Sequence, residues 1–239
     1  MLPVISLPKF NTVLPVSKKK VSFRPFTVRE EKILLLAKET AVPAELVGSI
    51  LQVVDNCTFG ELNLNELPIV DLEYLFLQVR IKSVGEISEL RYTCLNKVDG
   101  DKCGGKIDIN LDLTTITASK SELSNKINIT DKIGVAFKYP TVDDSVAIIS
   151  SLIDKETQND TAFLYQILDF VWEGDEIFPK NETSLEEFNT FIDGLTNEQF
   201  KFISDFVDAI PSLKQTIPTK CPKCGHESKL ELEGITDFF

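Results

Sequence analysis

The sequence predicts an α+β protein: a mainly helical domain with a split β zinc ribbon and an N-terminal β hairpin or arm. Apolar residues recur at helical spacing in residues 27–88, whereas strand-like alternation surrounds two widely separated pairs of cysteines. Four segments are therefore expected: an N-terminal β arm or hairpin at 1–26, a helical segment at 27–88, a split zinc ribbon at 89–114 plus 212–235, and a mainly helical insertion at 115–211.

The composition favours a folded, acidic protein of a reducing compartment. Hydrophobic residues make up 43% of the 239 residues, which is enough for a packed core. The net charge of −12 argues against general nucleic-acid binding, because such binding relies on Lys and Arg to neutralise phosphates. No signal peptide is visible, the longest apolar run is too short to span a bilayer, and the five cysteines are an odd count. We therefore expect a cytoplasmic location.

The N-terminal segment predicts two short strands, at residues 10–14 and 20–26, on either side of the basic run Lys18-Lys19-Lys20. Four prolines between residues 3 and 25 make a central strand unfavourable, so these strands are expected at an edge or in an arm. The basic run either contacts an acidic partner or nucleic acid, or forms a solvated hairpin turn.

Three helices are predicted next. Thr27 and Glu30 have the spacing of a capping box, which predicts a helix from there to about Lys38. A second helix is predicted from Pro43, where apolar residues recur on one face. The third, from Pro68 to about residue 83, is apolar nearly all round and is therefore expected at the centre of the fold.

The pattern then changes to strands and back to helices. Strands are predicted at 90–94 and 106–113, and another pair within 126–140. Capping patterns predict helices that open at Thr141, Ser184 and Thr196, the last two as a helical hairpin around Gly194. A further helix is predicted at 158–171, and the chain returns to a strand pattern after Pro211.

Four cysteines have the pattern of two zinc knuckles: Cys94 with Cys103, and Cys221 with Cys224. A glycine follows the second cysteine of each pair, where it allows backbone N–H groups to turn toward sulfur. Four thiolates would close a tetrahedral site of the structural type. The first pair is separated by eight residues instead of the usual two, so its turn carries an insertion. The alternatives are thiols that pack without a metal and, less favoured between strands, a redox pair.

The remaining reactive residues give no positive reason to predict an enzyme. A catalytic zinc needs an open coordination position and a general base, whereas four thiolates close the coordination shell. His226, the single histidine, is either a further ligand or a surface neighbour of the knuckle. Cys57 is interpreted as a buried thiol. The terminal Phe238 and Phe239 either pack into the core or dock on a partner.

Three stretches carry a resemblance to a known family: residues 17–39, 90–113 and 195–239. The order of their motifs, with a basic strand, a turn of the FRPF type, a split cysteine ribbon and a final LEG-x-x-x-FF, resembles the T4-type bacteriophage baseplate protein family, in the group of hub assembly proteins. The resemblance implies a non-enzymatic component or assembly factor of a contractile-tail baseplate hub. It also carries over Cys94, Cys103, Cys221 and Cys224 as candidate ligands of a structural zinc.

The same resemblance implies the partners and the location. The expected partners are other phage tail or baseplate hub proteins, with the tape-measure protein as one candidate, in an oligomeric assembly without membrane and without nucleic acid. The expected location is the virion, in the tail baseplate, and the host cytoplasm during assembly. Two alternatives stay open: a chaperone of the tape-measure or hub protein that is absent from the virion, and a zinc-ribbon adaptor for nucleic acid or polymerase.

Overall fold

A computed structural model of the protein describes residues 5–40, 42–98, 100–121, 123–144 and 160–234. The chain divides into two compact units. The first unit comprises residues 1–62, 70–119 and 212–239, and the second comprises residues 63–69 and 120–211. Both units combine helices with antiparallel strands that occur in separate runs along the chain, so the α+β class is confirmed. Every helix among the described residues is too short or too polar to span a lipid bilayer.

The first unit combines three helices with small antiparallel ladders. The helices are α1 (Val28–Thr40), α2 (Pro43–Cys57) and α3 (Ile69–Val84). The ladders pair β1 (Phe10–Val13) with β2 (Lys20–Phe23), β3 (Ile87–Thr93) with β6 (Lys106–Asp112), β4 (Lys97–Val98) with β5 (Asp101–Lys102), and β11 (Lys214–Lys220) with β12 (Glu227–Glu233). The predicted N-terminal hairpin is thus confirmed.

Helix α3 is central to the first unit, as its apolar composition predicted. Nine of its sixteen residues are buried. Its apolar residues pack against side chains from the strands that carry the cysteines, among them Leu111 and Leu232. The buried carboxylate of Asp71 accepts hydrogen bonds from the backbone N–H groups of Val16 at 2.7 Å and Ser17 at 2.8 Å. These bonds attach the turn of the N-terminal hairpin to α3.

The second unit is built on a four-stranded antiparallel sheet. Its strands are β7 (Lys126–Asn128), β8 (Ile133–Phe137), β9 (Leu168–Glu173) and β10 (Glu176–Pro179), in the order β10-β9-β8-β7. Its helices are α4 (Asp160–Ile167), α5 (Leu185–Asp193) and α6 (Asn197–Asp208). The capping boxes predicted at Ser184 and Thr196 are both present, and they open α5 and α6 on either side of Gly194.

One predicted helix is partly wrong. Helix α4 ends at Ile167, and residues 168–171, predicted as helical, begin strand β9. Strand β9 pairs with β8 on one side and β10 on the other, and Phe170, Val171 and Trp172 favour a strand because they are aromatic or β-branched. Gly134 of β8 lies so close to the Trp172 ring that an added Cβ would come within 2.0 Å of it. The pairing of β9 with β8 and β10 therefore outweighs the helical spacing of its apolar residues.

Some predictions fall at the edge of the described residues. At Thr141 the first helical turn is present, with the Asp144 carboxylate accepting from the Thr141 N–H at 2.9 Å. The continuation of this helix from residue 145, the predicted start of the next at 158, and the terminal Phe238 and Phe239 lie outside the described residues.

Candidate metal centre

The four predicted ligands come together in the first unit. The sulfurs of Cys94, Cys103, Cys221 and Cys224 all lie within 4.8 Å of one another, and we refer to these residues as the cysteine cluster. The sulfurs of Cys94 and Cys224 are 3.8 Å apart, as are those of Cys103 and Cys221. A tetrahedral ion with metal–sulfur bonds of about 2.3 Å requires sulfur–sulfur distances of about 3.8 Å. The cluster could therefore hold one metal ion.

The first knuckle lies at the end of the β3–β6 ladder. The Cys94 N–H donates to the Gly105 carbonyl at 2.8 Å, and the Gly104 N–H donates to the Cys94 carbonyl at 3.1 Å. The residues between the two cysteines form the small β4–β5 ladder, and the Cys103 N–H closes it by donating to the Asn96 carbonyl at 2.7 Å. The long insertion is thus accommodated as a projecting hairpin that leaves both sulfurs at the cluster.

The second knuckle lies at the turn of the β11–β12 hairpin. The Cys221 N–H donates to the His226 carbonyl at 2.9 Å, and the Gly225 N–H donates to the Cys221 carbonyl at 2.9 Å. Gly225 has a φ of +73°, in the left-handed region that glycine adopts without a Cβ clash. This glycine therefore serves the turn that the sequence pattern indicated.

Backbone amides also point at the sulfurs. The His226 amide donates to the Cys224 sulfur, and this bond is the largest influence that lowers the pKa of Cys224, to about 6. The Asn96 amide likewise lowers the pKa of Cys94, but desolvation and hydrogen bonds with the neighbouring thiols outweigh it and raise that pKa to about 12. Four thiolates so close together would repel one another. A bound cation would offset this electrostatic repulsion.

The two knuckles also contact each other through groups other than the four cysteine side chains alone. Gly105 faces the second knuckle so closely that an added Cβ would lie 2.6 Å from the Cys221 sulfur and 2.9 Å from the Lys223 Cβ. The Lys223 ammonium donates to the Cys103 carbonyl at 2.6 Å. The side-chain amide of Asn96 lies 3.8 Å from the Cys224 sulfur. The sequence did not indicate the contacts of Asn96 and Lys223. The pair of glycines after Cys103 was the one sequence signal that the two knuckles come close together.

The remaining cysteine and the histidine lie outside this set. The His226 side chain is exposed and is not among the groups that converge on the cluster. Cys57 is buried at the end of α2, as predicted, and burial raises its pKa to about 12. Within the described residues, the cysteine cluster is the one group of His, Cys, Asp or Glu side chains that could hold a metal ion.

The fold and the cluster define an α+β protein in which two knuckles, far apart in sequence, present four thiols to one point. The chain belongs to the family described as T4 bacteriophage base plate protein, which matches residues 7–239. Among curated proteins it is similar to the baseplate hub assembly protein gp26 of Enterobacteria phage T4, with 22% identity over 227 residues that cover 94% of each chain. No solved structure gives a significant match.

Proposed function

We propose that this chain is a non-enzymatic assembly factor of the baseplate hub of a phage with a contractile tail. The observation that carries the proposal is similarity along 94% of both chains to a protein named for hub assembly. Membership of the base plate family over residues 7–239 supports the same role. In this role the chain acts through contacts with other tail or hub proteins, in the host cytoplasm while the baseplate is built.

A gene deletion tests this role. Phage that lack the gene should fail to complete the baseplate hub, and expression of the wild-type chain from a plasmid should restore infectious particles. Mass spectrometry of purified virions then separates an assembly factor from a subunit, because a factor that leaves the particle is absent from it. Recovery of infectious particles with complete tails from phage that lack the gene would refute the hub role altogether.

We further propose that the cysteine cluster binds a structural Zn²⁺, as part of a split ribbon formed by residues 89–114 and 212–235. Four sulfurs at distances suited to a tetrahedral ion support zinc, which binds four thiolates in closed structural sites. Cys94 and Cys103 would hold it from one side and Cys221 and Cys224 from the other. The metal would supply a crosslink between two hairpins, and the amides of Asn96 and His226 would stabilise the thiolates.

Metal analysis of the purified protein tests the zinc proposal independently of the phage experiment. Protein prepared without chelator should contain about one zinc per chain, because metal binding at a structural site is coupled to folding and the folded protein therefore keeps its metal. A stable protein without zinc would show instead that the four thiols are held by packing and hydrogen bonds alone.

A further inference from the structure

Helix α1 has an apolar face that the described residues leave exposed. Val28, Leu35 and Leu36 are 67%, 55% and 63% exposed, although each is a large aliphatic side chain. The opposite face of the same helix, with Leu34 and Ala37, is buried in the first unit. The helix is thus apolar on two sides, and only one of them is buried by the residues that the structure describes.

Two opposite charges lie on the same outward face. Lys32 and Glu39 are exposed, and their positions relative to Val28 are i+4 and i+11, while Leu35 and Leu36 are at i+7 and i+8. Residues at these spacings lie on one broad side of an α-helix. In the part of the chain that the structure describes, neither charge takes part in an ion pair. We call these five residues the α1 outer face.

This face is complementary to itself when two copies lie antiparallel. A two-fold axis between Leu35 and Leu36 places Leu35 of one copy opposite Leu36 of the second. The same axis places Lys32 of each copy opposite Glu39 of the other, which gives two equivalent ion pairs beside the apolar contact. A parallel arrangement would instead place Lys32 against Lys32 and Glu39 against Glu39, which is unfavourable. The charges therefore select the antiparallel register.

We propose that the α1 outer face is a homodimer interface, in which two copies of this chain pair α1 antiparallel about a two-fold axis. Such an interface is isologous, with the same patch used by both copies. One helix from each copy buries less surface than a standard interface of about 1,600 Å². We therefore expect a weak dimer, which concentration-dependent association would reveal.

Analytical ultracentrifugation of the purified full-length chain over a concentration series tests the interface. The wild-type chain should shift from monomer to dimer as concentration rises. Lys32→Glu and Glu39→Lys should each weaken the dimer roughly tenfold, because each turns two attractive pairs into two repulsive ones. The double variant Lys32→Glu/Glu39→Lys should restore wild-type affinity. All three changes are on the surface, so circular dichroism should show an unchanged fold.

A mixing experiment distinguishes this register from general stickiness. The Lys32→Glu copy carries two acidic groups and the Glu39→Lys copy two basic ones, so the mixture should form heterodimers more tightly than either variant forms homodimers. Two results would overturn the proposal: a monomer at every concentration up to several hundred micromolar, or single charge variants that dimerise as well as the wild type. Because only this chain is present, the result does not depend on the hub role.

Discussion

The cysteine cluster and the aromatic core of the second unit hold their surroundings together in different ways. The cluster joins two-stranded ladders, and the apolar side chain packed against its sulfurs is that of Ile107. The core of the second unit instead stacks Phe206 on Phe137 at 5.6 Å and on Tyr139 at 6.4 Å, beneath a four-stranded sheet. A two-stranded hairpin is at best marginally stable by itself. A larger sheet that packs against helices is stable without a further crosslink.

The comparison shows why four thiols occur where they do. The strand residues of the β11–β12 hairpin are exposed or half-buried, apart from Leu232, which is buried. Burial of apolar surface contributes roughly 25 cal/mol per Å², so these strands gain little from it. A metal crosslink would supply there what aromatic packing supplies in the second unit. The two regions should therefore fail under different perturbations.

The largest effect is expected from Cys221→Ser. Loss of one ligand should abolish zinc binding, a contribution that reaches about 10–16 kcal/mol in isolated zinc-finger peptides. Hydrogen exchange should show lost protection in β3, β6, β11 and β12, while the sheet of the second unit keeps its protection. Cys57→Ala is the matched control, since it removes a buried thiol outside the cluster and should leave one zinc per chain. Zinc retained at full occupancy in the serine variant would contradict the four-thiolate site.

The reciprocal change is Phe206→Ala. Phe206 is 1% exposed in the aromatic core, and its truncation should lower the free energy of unfolding by about 3–5 kcal/mol. The protection of β8 and β9 should fall in hydrogen exchange, whereas the zinc content should not change. Phe202 lies on the same helix but is 50% exposed, so Phe202→Ala should change the free energy of unfolding by roughly 0.5 kcal/mol or less. Equal effects of the two variants would show that the aromatic core does not stabilise this unit.

Acid should weaken the first unit through Glu30. Burial alone would raise the pKa of Glu30, but hydrogen bonds from Arg24 and Thr27 lower it from 4.5 to about 2. Since the folded-state pKa is the lower one, the stabilisation is complete above pH 4.5 and is lost as the pH falls toward about 2. It should amount to about 2–3 kcal/mol.

Urea unfolding between pH 6 and pH 2.5, with a probe that reports on α1, measures the stabilisation that Glu30 contributes. Glu30→Gln should be less stable than the wild type at pH 6, and its free energy of unfolding should fall less than that of the wild type between pH 6 and pH 2.5, by the contribution of Glu30. Glu31→Gln removes an exposed neighbouring carboxylate and is the control, with a pH dependence close to that of the wild type. An unchanged slope in Glu30→Gln would show that the Arg24 pair contributes nothing.

The smallest effect is expected at Gly105. In Gly105→Ala the new methyl group would lie 2.6 Å from the Cys221 sulfur, so the knuckles would have to separate slightly. We expect zinc affinity to fall roughly tenfold, in the range found when groups around the ligands are altered. Competition with a chromophoric chelator measures it. Gly48→Ala in α2, where no atom lies within 4 Å of the added Cβ, should leave zinc affinity unchanged and slightly stabilise the helix.

Local signals carried much of what could be predicted. The capping boxes at Ser184 and Thr196 involve residues three positions apart, so the sequence alone locates the starts of α5 and α6. The cysteine–glycine pattern likewise predicted two knuckles, and their four sulfurs do converge. The sequence analysis missed strand β9 because its apolar residues also recur at helical spacing. What makes this segment a strand is its pairing with β8 and β10, which the local sequence does not show.

The sequence by itself determined which residues cap helices, which turns need glycine, and which four thiols are available, because each of these depends on neighbours within a few positions. Only the tertiary structure decided that Cys94 meets Cys224, that Lys223 reaches the Cys103 carbonyl, and that the described residues leave an apolar face of α1 exposed. These contacts join residues more than a hundred positions apart or depend on what the rest of the chain covers. No local pattern encodes them, since they arise from how the whole chain packs.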